Sequence, residues 1–403
     1  MKKHMVLIVG LFYPQPSPTG KCAESYVDLL KDQYDISVIC IADTDRSPYV
    51  YNNKTVFPVG SAYMLFQNWL HKRHFPILIQ KLVKLPTHVI NQFVHPNLLH
   101  SYISVAEEQL NKLHKEKAVD VIFSVGAPMA AHVAAKNFRD RHPEIRWVTY
   151  TVDSYASQNM YSRRYNKALS FETRILADSD HVLLSEEIYE HSTELYKTFA
   201  SKCEILPYLM PPTPQISEDE QFFDSNKINM VFAGRFYKQI RNPEYLLQLA
   251  SEMDERCVLH LYCQSDCDNL VDEYVRRSGG RIIRHTPVSA TQIQQIYMQA
   301  DFLVSVGNNT AEFKPSKTFE YIASGKPIIN IYYPGQYDAV LDKYPLALQL
   351  ERDDPLGQAI EKLQTFIQHN NKKVLPREII EKIYFRHGSE NINKILEDCM
   401  SEQ

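Results

Sequence analysis

Several features that would assign this chain of 403 residues to a familiar class are missing from its sequence. No stretch approaches the roughly 18 consecutive apolar residues that a transmembrane helix requires, so we expect a protein that is soluble or only membrane-associated. The formal net charge is only -4, which gives no global basic field and argues against nucleic acid as the partner. No low-complexity tract and no long internal repeat is visible. These absences leave a globular protein, which we expect in the cytoplasm.

Cysteine usage argues against a secreted or zinc-stabilised protein. The seven cysteines are odd in number and scattered, which does not fit the disulfide framework of a small secreted domain. Cys263 and Cys267 have three residues between them, but no second Cys/His pair follows at the spacing of a structural zinc site. We therefore expect free thiols and no structural zinc. The sequence also lacks the Asp/His cluster that a metal-dependent enzyme would need, so we expect no metal and no cofactor.

The N-terminus, MKKHMVLIVGLFYP, superficially resembles a signal peptide because two lysines precede an apolar run. That run ends after about eight residues in a proline-rich loop without a small-residue cleavage pattern. We interpret it as a first buried strand.

The first half of the chain alternates short apolar stretches with helical patterns. VLIVG, VDVIFSV, RWVTYTV, HVLLS and CEILP are apolar nearly throughout, which is typical of buried parallel strands. Ala23, Tyr26, Val27 and Leu30 recur at i, i+3, i+4 and i+7, which predicts a helix covering one face of such a sheet. We predict a first Rossmann-like domain over residues 1–207.

A proline-rich and acidic stretch over residues 208–225 predicts a linker. After it, the strands INMVFAG, CVLHLYC, GRIIRH, ADFLVSVG and KPIINIYY alternate with helices such as Pro243 to Glu252 and Ala290 to Gln299. We predict a second Rossmann-like domain over residues 226–384 and a C-terminal helix within 385–403 that packs back on the first domain. The fold class is therefore α/β, with two doubly wound parallel-sheet domains. Ligands of open α/β sheets bind beyond the carboxyl ends of the strands, so we expect the two domains to face each other across one cleft.

A basic loop follows the first strand of the second domain. In VFAGRFYKQIRNPEYLL, Gly234 permits a sharp turn at the strand end, and Arg235, Lys238 and Arg241 follow before a helix. Three cations at a strand end suit a diphosphate. A solvated basic turn before an ordinary helix is the alternative.

The stretch AEFKPSKTFEYIASGKP follows a later strand that ends at Gly307. It predicts a short helix that is closed by Gly325, and the free N–H groups of its first turn suit an anion. Glu312 lies in the preceding loop and Glu320 lies inside the helix, so the two carboxylates can address different parts of one ligand.

The segment EFKPSKTFEYIASGKPII resembles the signature of the retaining nucleotide-sugar glycosyltransferases of family 4 (group 1), which have the GT-B fold. AGR at the start of the second domain and TPVSATQIQQIYMQADFLVSVG before the motif support the resemblance. It is specific over the second domain and only topological over the first. It implies transfer of a hexosyl group from a nucleotide-diphosphate-sugar to an acceptor hydroxyl with retention, in the synthesis of a bacterial surface polysaccharide such as capsule or lipopolysaccharide. The second domain would bind the donor and the first the acceptor.

The same resemblance implies roles for individual residues. In the family, an arginine and a lysine five positions later bind the diphosphate of the donor. The arginine corresponds to Arg235, but Ile240 stands at the position of the lysine. Either the loop is one residue longer, so that Arg241 takes the role, or Lys238 contributes to diphosphate binding instead. Glu312 would approach the hydroxyls of the donor sugar, and Glu320 would hydrogen-bond the ribose. The residues predicted to bind the donor are Gly20, Gly234, Arg235, Lys238, Arg241, Ser316, Lys317, Thr318 and Glu320. Those predicted to act in catalysis are Glu312, Asp153 and Arg235.

Loops of the first domain yield weaker predictions. LFYPQPSPTGKCAES lacks GxGxxG, so it carries no dinucleotide fingerprint, and Gly20 is either a close-approach position for donor or acceptor or a plain loop glycine. Asp153 follows a buried strand directly, where a carboxylate can take the acceptor proton or simply cap a helix. Many relatives have a histidine just before this aspartate, where this chain has Val152. His132 is either a packed helix residue or a catalytic one.

Residues 71–90, HKRHFPILIQKLVKLPTHVI, mix cations with apolar residues. Such a segment suits peripheral association with a membrane that holds a lipid-linked acceptor, at its inner face, although a helix that covers a sheet looks the same. The expected partners are thus a nucleotide-sugar donor and a glycan or lipid-linked acceptor, with no nucleic acid. A nucleotide-sugar epimerase of the same fold and a non-catalytic sugar-nucleotide-binding subunit are the alternative functions.

Overall fold

The computed structural model describes residues 2–14, 16–43, 45–73, 98–152, 154–158, 164–185, 188, 196, 198–207, 209–210, 220–286, 288–309, 317–384 and 389–401. The chain divides into two compact units. Unit 1 comprises Met1–Leu209 together with His387–Gln403, and unit 2 comprises Met210–Arg386.

Unit 1 is built on an eight-stranded sheet with the order β3-β4-β2-β1-β5-β6-β7-β8. All its strand pairs are parallel except β3 with β4, which are antiparallel. Its strands are β1 Lys3–Ile8, β2 Tyr34–Ile41, β3 Tyr49–Tyr51, β4 Lys54–Val59, β5 Val121–Val125, β6 Arg146–Thr151, β7 His181–Leu184 and β8 Cys203–Ile205. Its helices are α1 Pro18–Leu29, α2 Ala62–Lys72, α3 His100–Glu116, α4 Ala130–Arg139, α5 Tyr155–Gln158, α6 Tyr165–Ala177 and, at the end of the chain, α13 Ser389–Met400.

Helices cover both faces of this sheet because successive strand residues point to opposite sides. Met5 and Leu7 of β1 pack in one core cluster with residues of α1 and α13, whereas Val6 and Ile8 pack in another with residues of α3, α4 and α6. The final helix is therefore part of unit 1, where Leu396 is fully buried and the backbone oxygen of Cys399 accepts a hydrogen bond from Arg146 (3.1 Å).

Unit 2 is built on a six-stranded, fully parallel sheet with the order β11-β10-β9-β12-β13-β14. Its strands are β9 Ile228–Phe236, β10 Cys257–Ser265, β11 Ile282–Arg284, β12 Phe302–Val306, β13 Ile328–Tyr332 and β14 Ala347–Glu351. Its helices are α7 Glu244–Glu252, α8 Asp268–Arg277, α9 Ala290–Gln299, α10 Thr318–Ser324, α11 Leu356–Asn370 and α12 Arg377–Tyr384. Phe232 packs in a core cluster with residues of α7, α8 and α11, whereas the N–H of Ala233 donates to the hydroxyl of Tyr321 on α10 (3.5 Å).

Local capping signals define several helix ends. Ser17 accepts from the N–H of Gly20 (3.1 Å) before α1, and Ser289 forms a capping box with Gln292 at the start of α9. Helix α10 ends at Gly325, which has φ +74° and lies where a Cβ would come 2.6 Å from the backbone oxygen of Leu375. Only glycine satisfies both conditions.

The predicted pair of doubly wound parallel sheets is confirmed, and the seven cysteines are free. The hairpin of β3 and β4 and the outer strand β14 were not predicted. The predicted linker divides between the two units: Leu209 packs against a core cluster of unit 1, whereas residues 220–225 pack on unit 2, where Phe223 is buried with its ring 4.5 Å from that of His260. The backbone oxygen of Glu220 also accepts from the side chain of Gln299 (2.6 Å). Among the described residues, no helix has both the length and the apolar character that crossing a bilayer requires.

Candidate functional site

The winding of unit 2 reverses between two neighbouring strands. The chain proceeds outward from β9 through β10 to β11, then returns to the other side of β9 with β12 and continues through β13 to β14. Beyond the carboxyl ends of β9 and β12, the connecting loops therefore diverge and leave room for a ligand. This edge carries Gly234 and Arg235 at the end of β9, and Gly307 and Asn308 just after β12.

A tight loop after β9 places Arg241 at this edge. Tyr237 and Arg241 form an antiparallel bridge with two backbone hydrogen bonds, so the loop turns back on itself. Arg241 donates from Nε to Oδ1 of Asn308 (2.9 Å) and from Nη1 to the backbone oxygen of Arg235 (3.4 Å). The guanidinium is therefore held between the two strand ends.

A second set of bonds ties the loop after β12 to the loop after β9. The backbone N–H of Asn309 donates to the oxygen of Ile240 (2.9 Å), and its side-chain amide donates to the oxygen of Gln239 (2.7 Å). Because both loops are fixed to each other, the position of Arg241 does not depend on one flexible turn.

Burial makes the Arg241 charge costly. Arg241 is half-buried, and this burial lowers the pKa of its guanidinium, while Tyr237, Tyr321 and Tyr333 act in the opposite direction. Among the described residues, the groups that act on its charge are tyrosines and not carboxylates. A desolvated cation without a carboxylate partner is stabilised by an anionic ligand.

The other cations of the loop are placed differently. Arg235 is exposed, with its guanidinium 5.3 Å from the ring centre of Tyr237. Lys238 is exposed and lines a recess of about 420 Å³ together with Asp266 and Asp268. Those two carboxylates make the recess a poor place for a phosphate. Ile240, at the position where the family pattern has its lysine, is 40% exposed, so the next residue, Arg241, is the one that reaches the strand ends.

Helix α10 carries the described part of the predicted motif. Lys317, just before the helix, donates from Nζ to the hydroxyl of Tyr297 (2.9 Å), and the ammonium lies 5.6 Å from the centre of that ring. Thr318 is buried, and its hydroxyl donates to Asp338 (3.5 Å). Glu320 is half-buried in the first turn. The helix has seven residues. Tyr321 on its buried side accepts a hydrogen bond through its hydroxyl from the N–H of Ala233 on β9.

Three predicted site residues lie outside the described residues: Glu312, Ser316 and Asp153. Their roles stay predictions. Gly234 is described, and a Cβ there would lie 3.4 Å from the ring of Phe232 and 3.8 Å from Nη1 of Arg241. These are ordinary contacts, so the protein itself does not require glycine at position 234.

The corresponding edge of unit 1 lies between β1 and β5, where the winding of that sheet reverses. A Cβ on Gly20 would come 2.2 Å from the backbone oxygen of Leu11, so glycine is required there by the protein's own loop. A Cβ on Gly10 would likewise come 2.7 Å from Pro128. The ligand role predicted for Gly20 stays a prediction.

His132 is buried behind this edge. Its Nδ1 lies 2.8 Å from the hydroxyl of Ser124, which also accepts from the indole N–H of Trp147 (2.8 Å). Burial lowers the pKa of His132 to about 3, so the ring is neutral at physiological pH. Among the described residues its Nε2 finds no hydrogen-bond partner, and a Cβ on Gly126 would lie 3.0 Å from it. The packed-helix interpretation therefore describes His132 better than a catalytic one.

A buried carboxylate, Glu172, holds the backbone that follows β6. It accepts hydrogen bonds from the hydroxyl of Ser154 (2.8 Å) and from the N–H groups of Tyr155 (3.0 Å) and Ala156 (2.8 Å). Burial raises its pKa, and these three bonds oppose that effect. Sequence reasoning missed Glu172, because nothing local marks a helix residue that caps a loop 16 to 18 positions earlier.

Sequence reasoning also missed Asn308 as the partner that orients Arg241. The Asn-Asn pair directly after a buried strand is a signal that could have pointed to it, because short amides at strand ends often bind neighbouring loops.

Among the described residues, one group of potential metal ligands is found, and it lies in unit 1. Single ligand atoms of His114, His142 and Glu144 lie within 4.8 Å of one another. However, the N–H of Val119 donates to Nδ1 of His114 (3.1 Å), so the neutral ring carries its proton on Nε2 and has no lone pair left for a metal. We therefore assign no metal to this group.

No protein-family model and no curated protein matches the chain. Solved structures do match. Sucrose-phosphate synthase from Thermosynechococcus elongatus is 12% identical, with 98% of each chain covered and a TM-score of 0.70. A trehalose-6-phosphate structure from E. coli bound with UDP-2-fluoro glucose is 11% identical, with 100% of each chain covered and a TM-score of 0.64. The apo lipopolysaccharide outer core galactosyltransferase WaaB is 12% identical, with 98% of this chain and 99% of WaaB covered and a TM-score of 0.55. At such identities the likeness establishes the fold, and the expected GT-B fold is confirmed.

Proposed function

We propose that this chain is a retaining glycosyltransferase that moves a hexosyl group from a nucleotide-diphosphate-sugar to an acceptor hydroxyl. The observation that carries the proposal is Arg241, a half-buried guanidinium that Asn308 holds at the reversal point of the unit 2 sheet. The pKa of this group is lowered by burial, and no carboxylate acts on its charge within the described residues, so an anion is its natural complement. A diphosphate supplies that anion.

In the proposed reaction, the cations of unit 2 stabilise the leaving diphosphate. The bond between the anomeric carbon and the diphosphate oxygen breaks, and negative charge develops on the leaving diphosphate. Arg241, Arg235 and Lys317 stabilise that charge. The acceptor hydroxyl attacks the anomeric carbon from the same face and passes its proton to the leaving phosphate oxygen. Glu312 positions the sugar hydroxyls in this scheme and is not a covalent nucleophile.

The remaining roles follow the family resemblance. Glu320 hydrogen-bonds the ribose of the donor, and unit 1 binds the acceptor, with Asp153 beside its hydroxyl. Membership of glycosyltransferase family 4 and a role in bacterial surface polysaccharide synthesis are part of the proposal. They are supported by the motif over residues 312–329 and by the fold shared with WaaB. The acceptor would be a glycan or a lipid-linked glycan at the cytoplasmic face of a membrane.

A donor panel tests this function directly. The purified chain is incubated with nucleotide-diphosphate sugars that differ in base and sugar, and the released nucleoside diphosphate and the sugar products are measured. We expect one donor to release its nucleoside diphosphate and, with acceptor present, to yield a product with the donor's anomeric configuration. Interconverted nucleotide sugars would instead indicate an epimerase, and binding without turnover would indicate a non-catalytic subunit.

Substitutions at the site make the test specific. Arg235→Ala and Glu320→Ala should each lower turnover or donor affinity by about two orders of magnitude, because charge-assisted bonds to the donor are lost. Arg256→Ala is the matched control, since Arg256 is an exposed arginine of unit 2 that precedes β10 and pairs with Asp254. Near-normal turnover in both site variants would overturn the assignment of the site.

A further inference from the structure

Helix α2 of unit 1 presents an aromatic pair to solvent. The side chains of Phe66 and Trp69 are 48% and 43% exposed, and their rings stack with centroids 6.0 Å apart and planes 14° apart. Phe66 and Trp69 are three residues apart and lie on one side of the helix. The exposed Arg73 directly follows α2, and its N–H donates to the backbone oxygen of Trp69 (3.1 Å), so it continues the same side. We call this side, defined by Phe66, Trp69 and Arg73, the aromatic face.

The rest of α2 fixes the aromatic face in position. Leu70 is buried, and Met64 packs against a core cluster of unit 1. Ser61 caps the helix, because its hydroxyl accepts from the N–H of Met64 (3.2 Å). The side-chain amide of Asn68 donates to the backbone oxygen of Asp43 (2.9 Å). The two aromatic rings are thus displayed by an anchored helix and not by a frayed end.

The sequence around α2 has an unusual charge composition. Residues 46–106 contain no Asp and no Glu, although the whole chain has 48 of them. The same stretch contains six Lys or Arg residues, which are Arg46, Lys54, Lys72, Arg73, Lys81 and Lys84. Lys54 is buried and paired with Glu24 and Asp28, so its charge is neutralised. The other five leave this part of a net-negative chain strongly basic.

We propose that the aromatic face of α2 docks on an anionic phospholipid surface. Tryptophan and phenylalanine bury their rings favourably at the level of lipid headgroups, and tryptophan keeps its N–H hydrated there. Lys and Arg beside them are attracted to anionic lipids. Because the whole chain has a formal net charge of -4, an acid-free stretch around an aromatic pair favours contact with anionic lipid through this side.

This inference goes beyond sugar transfer and rests on the proposed function only for its purpose, which is access to a lipid-linked acceptor. The docking itself depends on the aromatic face and the acid-free stretch. The two proposals can therefore be tested separately.

Tryptophan fluorescence is a direct readout because the chain has only two tryptophans. Trp147 is fully buried and donates its indole N–H to Ser124, so it does not respond to a surface. We expect vesicles of phosphatidylcholine with phosphatidylglycerol to shift the emission to the blue, and brominated lipid to quench it. Pure phosphatidylcholine should have little effect, and raising the salt concentration should reverse binding. The same fluorescence with both kinds of vesicle, or no binding to anionic vesicles at low salt, would overturn the proposal.

Variants connect the binding to the aromatic face. The double variant Phe66→Ser, Trp69→Ser should lower partitioning in a vesicle sedimentation assay by about tenfold or more, because two apolar side chains leave the interface. Arg73→Glu should lower it about fivefold on anionic vesicles. Ile379→Ser is the matched control, since Ile379 is 42% exposed on α12 of unit 2, and it should leave binding unchanged.

Further outcomes separate this proposal from its competitors. If the aromatic face mediates self-association or protein docking instead, sedimentation velocity without lipid will show concentration-dependent assembly that the double variant abolishes, and vesicle binding will be absent. Nucleoside diphosphate release from a soluble donor without vesicles reports the proposed function alone. Intact release with no vesicle binding overturns only the docking, whereas vesicle binding without release overturns only the transferase.

Discussion

The two sheets of this protein reverse their winding at equivalent points, yet their carboxyl edges carry opposite chemistry. In unit 2 the edge holds a desolvated cation, Arg241, oriented by Asn308. In unit 1 the corresponding edge is closed by Gly10 against Pro128 and backed by a neutral, buried His132. The same topology thus leaves the unit 2 edge suited to an anion, whereas the unit 1 edge has close backbone packing and an uncharged imidazole behind it.

This difference shows that two sheets of the same topology can carry different chemistry at their carboxyl edges. Topology decides where a ligand can enter a doubly wound sheet, but it does not decide which ligand. The side chains at the strand ends do so, through the cost of leaving a buried charge without a counter-ion. In the function that we propose, the diphosphate of the donor would lie at the unit 2 edge and the acceptor hydroxyl would lie at the unit 1 edge.

The largest effect should come from removing the cation. Arg241→Ala should weaken binding of the donor's nucleoside diphosphate by about 100-fold or more, because a charge-assisted, partly desolvated contact is lost. Isothermal titration measures this affinity. Arg241→Lys should recover only part of it, since lysine cannot donate to Asn308 and the phosphate in one plane. An unchanged affinity of Arg241→Ala for the nucleoside diphosphate would mean that the unit 2 edge does not bind the anion through this cation.

Two glycine variants should give opposite results in the two units. Gly20→Ala should lower the free energy of unfolding of unit 1 by about 2 kcal/mol, because the new methyl would lie 2.2 Å from the backbone oxygen of Leu11. Gly234→Ala should change stability by less than about 0.5 kcal/mol, because its nearest neighbours lie at 3.4 Å or more. Its donor affinity should nevertheless fall about fivefold, since a phosphate would approach the backbone there.

Chemical denaturation and titration of the same proteins check this pair. Equal destabilisation of both variants would show that the fold requires glycine at Gly234 as well as at Gly20. Unchanged donor affinity in Gly234→Ala would place the phosphates away from the end of β9.

The neutral state of His132 predicts a pH dependence for unit 1. The folded state holds the pKa of His132 at about 3, below its ordinary value of 6.5, so its contribution to stability is complete above pH 6.5 and is lost as the pH falls towards 3. From pH 8 to pH 5 this group alone should remove about 2 kcal/mol. His132→Gln should flatten the pH dependence by that amount.

Trp147 reports this transition because its indole is bonded to Ser124, the residue that also contacts His132. Urea unfolding, followed by fluorescence at several pH values, gives the free energy of unfolding against pH for the wild type and for His132→Gln. His369→Gln, an exposed histidine on α11, is the matched control. An unchanged pH slope in His132→Gln would mean that the buried ring already carries a proton.

The sequence predicts much of this fold because its strongest signals are local. The start of α9 follows from the Ser289 and Gln292 capping box, and the end of α10 from Gly325. The hairpin of β3 and β4 was missed, although Asn52 and Asn53 both have positive φ in its two-residue turn, a turn that asparagine tolerates.

The site was less predictable because its contacts are long-range. Arg235 and Arg241 could be named from a loop sequence, but nothing in that loop distinguishes the half-buried Arg241 from the exposed Lys238. The distinction arises when the sheet places β12 beside β9 and brings Asn308, 67 positions later, against the guanidinium. Similarly, the capping of Ser154 to Ala156 by Glu172 exists only once α6 has docked.

A small expected effect at Asn308 is the most discriminating, because it tests why Arg241 is held at the edge. Asn308→Ala removes the acceptor of the Nε bond and should weaken nucleoside diphosphate binding about fivefold by loosening the guanidinium. Asn308→Asp keeps an acceptor at the same place but adds a carboxylate that competes with the phosphate, so it should weaken binding more, about tenfold. If Arg241 served only to join the two loops, the aspartate would strengthen that contact and binding would match the wild type. Titration of both variants with the same nucleoside diphosphate therefore separates an anion-binding arginine from a structural one.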